Sequence, residues 1–209
     1  MAASALAAAT SAVQAQTPSA AVALPAMTEG PFYPPAAWRA AWTDWDADLT
    51  RVSDRSDGAV SQGELLGLET QVVDSRGRAI DRAEVEIWQC DALAAYHHPR
   101  VNLVPGRHDP AFAGFGATRS QGDGLARFRT IRPVPYPGRT PHIHVKLRHP
   151  SFGELTSQLF VSADPGNAGD FIWRRLSGPE REAVQFSLTP APAGTDLRWL
   201  ARSRLVVPA

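Results

Sequence analysis

Tyr136-Pro-Gly-Arg139-Thr-Pro-His142-Ile-His144 places a phenol, a guanidinium and two imidazoles within nine residues, where a proline-rich segment gives way to alternating polar and apolar residues. On a strand, the period of two turns His142 and His144 to one face and Ile143 and Val145 to the other. Two neutral imidazoles on a rigid strand are half of a transition-metal site. The same pair equally suits the polar face of a solvated sheet. The chain has three tyrosines, Tyr33, Tyr96 and Tyr136. Tyr136 lies just upstream of the histidines, and Tyr96 closes a second distinctive run that begins Val85-Glu-Ile-Trp-Gln-Cys-Asp91.

The elements that must position these side chains are short. Strands are expected at Leu65–Val73, Ala83–Cys90, Ala126–Ile131, His142–Leu147, Leu155–Val161, Val184–Leu188 and Leu200–Val207, with a short helical turn at Pro179–Ala183. Asp74-Ser-Arg-Gly-Arg78, Gly122-Asp-Gly124 and Asp164-Pro-Gly-Asn167 supply turn chemistry between them. Short strands punctuated by Gly, Pro and Asp predict an all-β fold, a β-sandwich of mixed and antiparallel strands with long active-site loops. In Val85–Ile87 the apolar residues alternate against Glu84 and Glu86. From His97 to Ala126 no periodicity is evident; Phe112 and Phe115 argue that this long loop is packed.

Residues 1–27 are Ala-rich and carry no charge, as in a leader or the apolar part of an export signal that lacks its usual basic start. Residues 28–60 read as an irregular N-terminal arm, its prolines opposing regular helix, and residues 61–209 as the sandwich domain. A periplasmic location follows if the leader is an export signal, and a cytoplasmic one if it is not. At 209 residues the chain suits one domain with appendages. Zero formal net charge, without a basic block, argues against nucleic acid or anionic membrane as partners. No run reaches the apolar length of a membrane span. A single cysteine, Cys90 at the end of an apolar strand, excludes an internal disulfide and a thiolate cluster and is expected to be buried and inert.

Several runs, in order, resemble the intradiol ring-cleavage dioxygenases, most of all the catalytic chain of the protocatechuate 3,4-dioxygenase type and its short single-chain relatives. They are Thr28-Glu-Gly-Pro-Phe-Tyr-Pro34, Trp88 to Tyr96, Asp109-Pro-Ala-Phe-Ala-Gly-Phe-Gly116, Phe128 to Pro137, and Arg139-x-x-His-x-His144. The resemblance implies a non-haem Fe(III) held by Tyr96, Tyr136, His142 and His144, with a catechol-like small molecule and O2 as substrates and a muconate-type diacid as product. It implies that Arg139 stabilises negative charge beside the iron and that Gln158 and Tyr33 stand behind the site or line it. It assigns neither His97 nor His98 to the metal. In the family the arm lies across an active-site mouth, often a neighbouring subunit's, so a homo-oligomer is among the expectations. Hard anionic oxygen donors favour Fe(III), whereas zinc more usually recruits Cys, His or carboxylate. Free tyrosine ionises near pH ~10, and a bound cation lowers that value. The chain departs from the family pattern at Ala94-Ala95, where many members have Gly-Arg, and at Ala117, where an arginine is often found. Both changes remove positive charge that a carboxylated catechol would need. Two other functions fit the same residues: a divalent-metal hydrolase or lyase at this site, and a non-catalytic β-sandwich binding module.

Overall fold

The structure, a computed structural model, describes residues 22–41, 44–53, 55–98 and 107–208, so most of the expected leader and the tip of the 97–126 loop lie outside the described residues. Among the described residues, nine strands form two sheets. They are β1 (Leu65–Asp74), β2 (Glu84–Trp88), β3 (Phe115–Arg119), β4 (Leu125–Ile131), β5 (His142–His149), β6 (Gly153–Val161), β7 (Gln185–Phe186), β8 (Leu188–Pro190) and β9 (Trp199–Val207). One sheet runs β4-β1-β9-β8 and the other β3-β2-β5-β6-β7. Pairing is antiparallel except for β1 with β9 and β6 with β7, which makes the sandwich mixed.

The core is what the alternation dictates. Leu66, Leu68, Val72, Phe128 and Leu205 from the first sheet join Val85, Ile87, Ile143, Val145, Leu147 and Leu159 from the second in one buried cluster. Each such side chain contributes roughly 1.5–3 kcal/mol by leaving water. The opposite face of β5 is not solvated. Residues 142–147 are all buried, because β5 is the central strand of its sheet and the N-terminal arm lies over the face carrying His142, His144 and Lys146. The arm is pinned there by Met27 N–H to the Thr156 carbonyl (2.8 Å), Ser157 Oγ to the Pro25 carbonyl (2.7 Å) and an ion pair between Glu29 and Lys146. It includes one short helix, α1 (Ala36–Ala41), where no regular element is expected from the sequence. Residues 22–27, assigned by composition to the leader, are docked as far back as Leu24, which is 3% exposed and donates its N–H to the Val206 carbonyl.

Residues 45–50 close the side of the sandwich at which β3 and β4 end the two sheets. Ala117 N–H of β3 reaches the Asp46 carbonyl, and Leu49 N–H reaches the Arg129 carbonyl of β4. Two differences from the sequence reading have physical reasons. β3 falls inside the stretch expected to be loop: Phe115-Gly-Ala-Thr-Arg has one bulky apolar residue and so no alternation to read. Gly116 is required there, since a Cβ would sit 2.3 Å from the Asp46 carbonyl oxygen. The single strand expected at Val184–Leu188 is instead two, β7 on β6 and β8 on β9, with the chain passing between sheets at Ser187. The helical turn before it is α2 (Gly178–Ala183), closed at its start by a capping box of Ser177 and Glu180.

Candidate metal centre

Three pieces of chain bring the donors together. β5 presents His142 and His144 on one face, ring centroids 4.9 Å apart. The turn after β2 delivers Tyr96. Asp91 shapes that turn, its Oδ1 accepting from the Leu93 and Ala95 N–H groups and its Oδ2 from Asp109 N–H. Ala94 takes a left-handed φ of 63° there. Tyr136-Pro-Gly-Arg139 is a type II-like turn, with Arg139 N–H on the Tyr136 carbonyl at 2.9 Å and Gly138 at φ 83°. That turn sets Tyr136 and Arg139 side by side.

The geometry converges on one phenol oxygen. Tyr96 Oη lies 3.2 Å from His144 Nε2 and 3.5 Å from His142 Nε2, and the Tyr136 ring stands edge-on to Tyr96 at 5.7 Å and 5.5 Å from His142. His142 Nδ1 donates to the Thr140 carbonyl at 2.6 Å, which fixes the tautomer and leaves the Nε2 lone pair facing the phenols. Tyr96 is buried and Tyr136 half-buried.

Electrostatics sets the protonation states. Burial, then the nearby Arg139 charge, pushes His142 down to about 4; burial pushes His144 well below the usual imidazole range. Both rings are therefore neutral at neutral pH, with lone pairs to give. Burial, then the neighbouring Tyr136, drives Tyr96 well above the ordinary phenol value. Ionised phenols in this setting need a compensating positive charge, which a multivalent cation would supply. Among the described residues no three His, Cys, Asp or Glu side chains group so as to hold a metal ion, so a metal here must use the tyrosines. The donor set suits a hard, highly charged cation.

Arg139 is locked beside the donors. Its Nε donates to Asp170 Oδ2 (2.8 Å), Nη2 to Gln158 Oε1 (2.5 Å) and Nη1 to Tyr136 Oη (3.4 Å). Gln158 is the β6 neighbour of His144 in register and also donates to the Thr28 carbonyl of the arm. Sequence reasoning did not single out Asp170, whose carboxylate is fully buried. It also accepts from the Ile172, Trp173 and Thr140 N–H groups. Its only signal in the sequence was a place at the end of a turn-rich segment. Tyr33 does not reach the four donors. Its hydroxyl is bonded to Glu86 and its ring lies edge-on against Trp88. His97 Nδ1 pairs with the Ala113 carbonyl, and His98 packs against Phe32. Burial pushes the Cys90 thiol up to about 12. Thiol-reactive disulfide reagents at pH 8 are accordingly expected to leave Cys90 untouched in the folded protein and to titrate one thiol after denaturation. Prompt reaction of the native protein would contradict the burial.

Among known families, one described as Dioxygenase matches residues 28–177, a span that includes Tyr96, Tyr136, His142 and His144. The chain belongs to the intradiol ring-cleavage dioxygenase family. Its relatives in this family include the protocatechuate 3,4-dioxygenase beta chain of Burkholderia cepacia, 33% identical over 74% of this chain and 68% of that one. Another is the hydroxyquinol 1,2-dioxygenase of Corynebacterium glutamicum, 29% identical over 66% of this chain; the present chain spans half of that enzyme's length. In fold, the chain is similar to the dioxygenase domain of a dioxygenase carbohydrate-binding protein fusion from Streptomyces sp. SirexAA-E. The TM-score is 0.65 and the identity 24%, over 90% of this chain and 99% of that one.

Proposed function

We propose that Tyr96, Tyr136, His142 and His144 hold a non-haem Fe(III), and that the protein opens the ring of a catechol-type compound between its two hydroxylated carbons, adding both atoms of O2. The observation that carries this is the meeting of Tyr96 Oη with both imidazole Nε2 atoms, with Tyr136 at its side. When bound, the iron would accept electron density from the catecholate, giving the ring the radical character it needs to react with O2.

The chain's own residues divide the remaining work. Tyr96, held from all sides, is the permanent phenol donor. Tyr136, half-buried and on a turn, is the one able to swing aside and take a proton from a substrate hydroxyl on its Oη. Arg139 is held by Asp170 and Gln158 so that its Nη1 faces the Tyr136 oxygen, where a guanidinium stabilises negative charge on the phenolate or on the substrate oxygen that replaces it. Its Nε and Nη2 are already engaged with protein groups. Together with Ala94, Ala95 and Ala117, this favours an uncharged catechol over a carboxylated one.

The test loads metal-free protein with Fe(III), follows the visible spectrum while catechol or protocatechuate is added without oxygen, and then admits O2. We expect a purple-to-red tyrosinate band, a spectral change on adding catechol, and a ring-opened diacid carrying both oxygens of labelled O2. Turnover of protocatechuate is expected to be the slower. A colourless protein that gains hydrolase activity with a divalent metal would replace this reading with the hydrolase, and a protein taking up no metal would leave a binding module.

A further inference from the structure

We infer that Glu86, together with the arm residues it grips, is the positioning element for His144; the inference rests on the metal-site reading above. The two histidines are held differently. His142 is oriented by a hydrogen bond from Nδ1 to the Thr140 carbonyl. His144 Nδ1 is buried with no hydrogen-bond partner among the described residues. A metal-binding imidazole is ordinarily fixed by a hydrogen bond from its other nitrogen. His144 has instead the flat face of Trp88, with ring centroids 4.7 Å apart and planes 14° from parallel.

Trp88 is in turn held by stacking, since its Nε1 is buried and also lacks a partner among the described residues. The edge-on contact comes from Tyr33, at 4.9 Å and 64°. Tyr33 reaches this place because Glu86, 1% exposed, accepts its hydroxyl proton at 2.6 Å. The same carboxylate accepts from Arg148 Nη1 at 2.7 Å and pairs with Arg39 of α1. Arg148 Nη2 adds a bond to Tyr33 Oη at 2.8 Å, and Lys146 Nζ lies 4.1 Å from the Tyr33 ring centre.

Strand register makes this one face. Trp88 pairs with His144, Glu86 with Lys146 and Glu84 with Arg148, so the carboxylate sits one rung below the stacked pair. The clasp also sets the rest of the arm. Gly30 runs over His144, where an added Cβ would lie 3.5 Å from Cε1, and Phe32 stacks on Tyr96 at 4.5 Å. Glu86 thus acts through Tyr33 and Trp88 without touching the site. The expectation from alternation, a glutamate on a polar strand face, does not reveal this, because the covering arm is distant in sequence.

The experiment uses the full chain with Glu86→Gln, Tyr33→Leu, Trp88→Leu and Trp88→Phe. In metal-free protein, the His144 Cε1–H NMR signal should carry the ring-current shift of the tryptophan face. Glu86→Gln and Tyr33→Leu should reduce that shift and leave the His142 signal in place. After loading, both variants should lose iron to a chelator about 10-fold faster or more, in line with the usual cost of removing groups that orient a ligand. The two changes combined should do little more than either alone, since they break one chain of contacts. Trp88→Phe, which keeps a flat ring, should retain iron better than Trp88→Leu. An unmoved His144 signal in folded Glu86→Gln and Tyr33→Leu would overturn the inference whether or not iron binds. If Glu86→Gln fails to fold, Tyr33→Leu, which keeps the Glu86 ion pairs, decides. Failure of the wild type to take up iron would instead sink the metal-site reading, and the NMR comparison would still judge the positioning role.

Discussion

Tyr96→Phe is expected to abolish the proposed iron binding while leaving the metal-free fold almost as stable as before. The ring would still fill its buried place against Phe32, and the lost hydroxyl faces imidazoles that burial already holds neutral. The net cost of one such hydrogen bond is about 1 kcal/mol. Metal binding, by contrast, loses its central oxygen donor, the atom within 3.5 Å of both Nε2 groups. Affinity for Fe(III) should fall on the order of 100-fold or more, beyond what the loss of an outer orienting group costs. Tyr136→Phe should separate from it. The half-buried phenol is proposed to move and to take a proton, so its removal should lower kcat by roughly 10²–10⁴-fold, the usual range for a positioned base, with part of the iron retained. Iron titration, denaturant unfolding of the metal-free proteins and steady-state rates check the pair. Equal iron affinity in wild type and Tyr96→Phe would show that the phenol is no ligand.

How far the sequence exposed this arrangement depended on distance along the chain. His142 and His144 were legible as same-face neighbours because a strand imposes that periodicity locally. The Tyr136-Pro-Gly-Arg139 turn was equally local, and its chemistry sets two functional groups together. That Tyr96 lies on the same atoms follows from the register of β2 on β5, a long-range pairing for which only the family resemblance gave a hint. Asp170 and Glu86 were the least visible. Each is a carboxylate whose meaning comes from what covers it, Arg139 in one case and the arm in the other. The missed strand β3 has the same origin: a glycine forced by close approach of residue 46 removed the side chain that would have revealed the alternation. Local pattern brought out the histidine pair and the Tyr136 turn, and packing from elsewhere in the chain determined what joins and supports them.

Arg139→Met should destabilise the protein as well as slow it, and pH should tell the two effects apart. Asp170 is buried and Arg139 nearly so, and their contact is 2.8 Å. Burial alone would raise the Asp170 pKa. The Trp173 and Thr140 N–H groups and the Arg139 guanidinium outweigh it and hold the value below the ordinary carboxylate range. Breaking a buried pair by removing one partner leaves an uncompensated charge, so a loss of about 3 kcal/mol in unfolding free energy is expected at pH 7. The sign with pH follows from linkage. A depressed folded-state pKa gives stability that is fully present above the unfolded value near pH ~4 and is lost as pH falls through the folded one. The wild type therefore loses this contribution in acid. Arg139→Met never had it, so the gap between the two should narrow as pH drops below about 4. Adding Asp170→Asn to Arg139→Met should recover part of the stability at pH 7. Asparagine keeps an oxygen for the Ile172 and Trp173 N–H groups but loses the acceptor facing Thr140 N–H. Turnover should stay low in the double variant, because no guanidinium faces the Tyr136 oxygen. A gap that stays constant from pH 7 to pH 3 would show that Arg139 contributes packing rather than charge, and recovery of kcat in the double variant would remove Arg139 from the reaction.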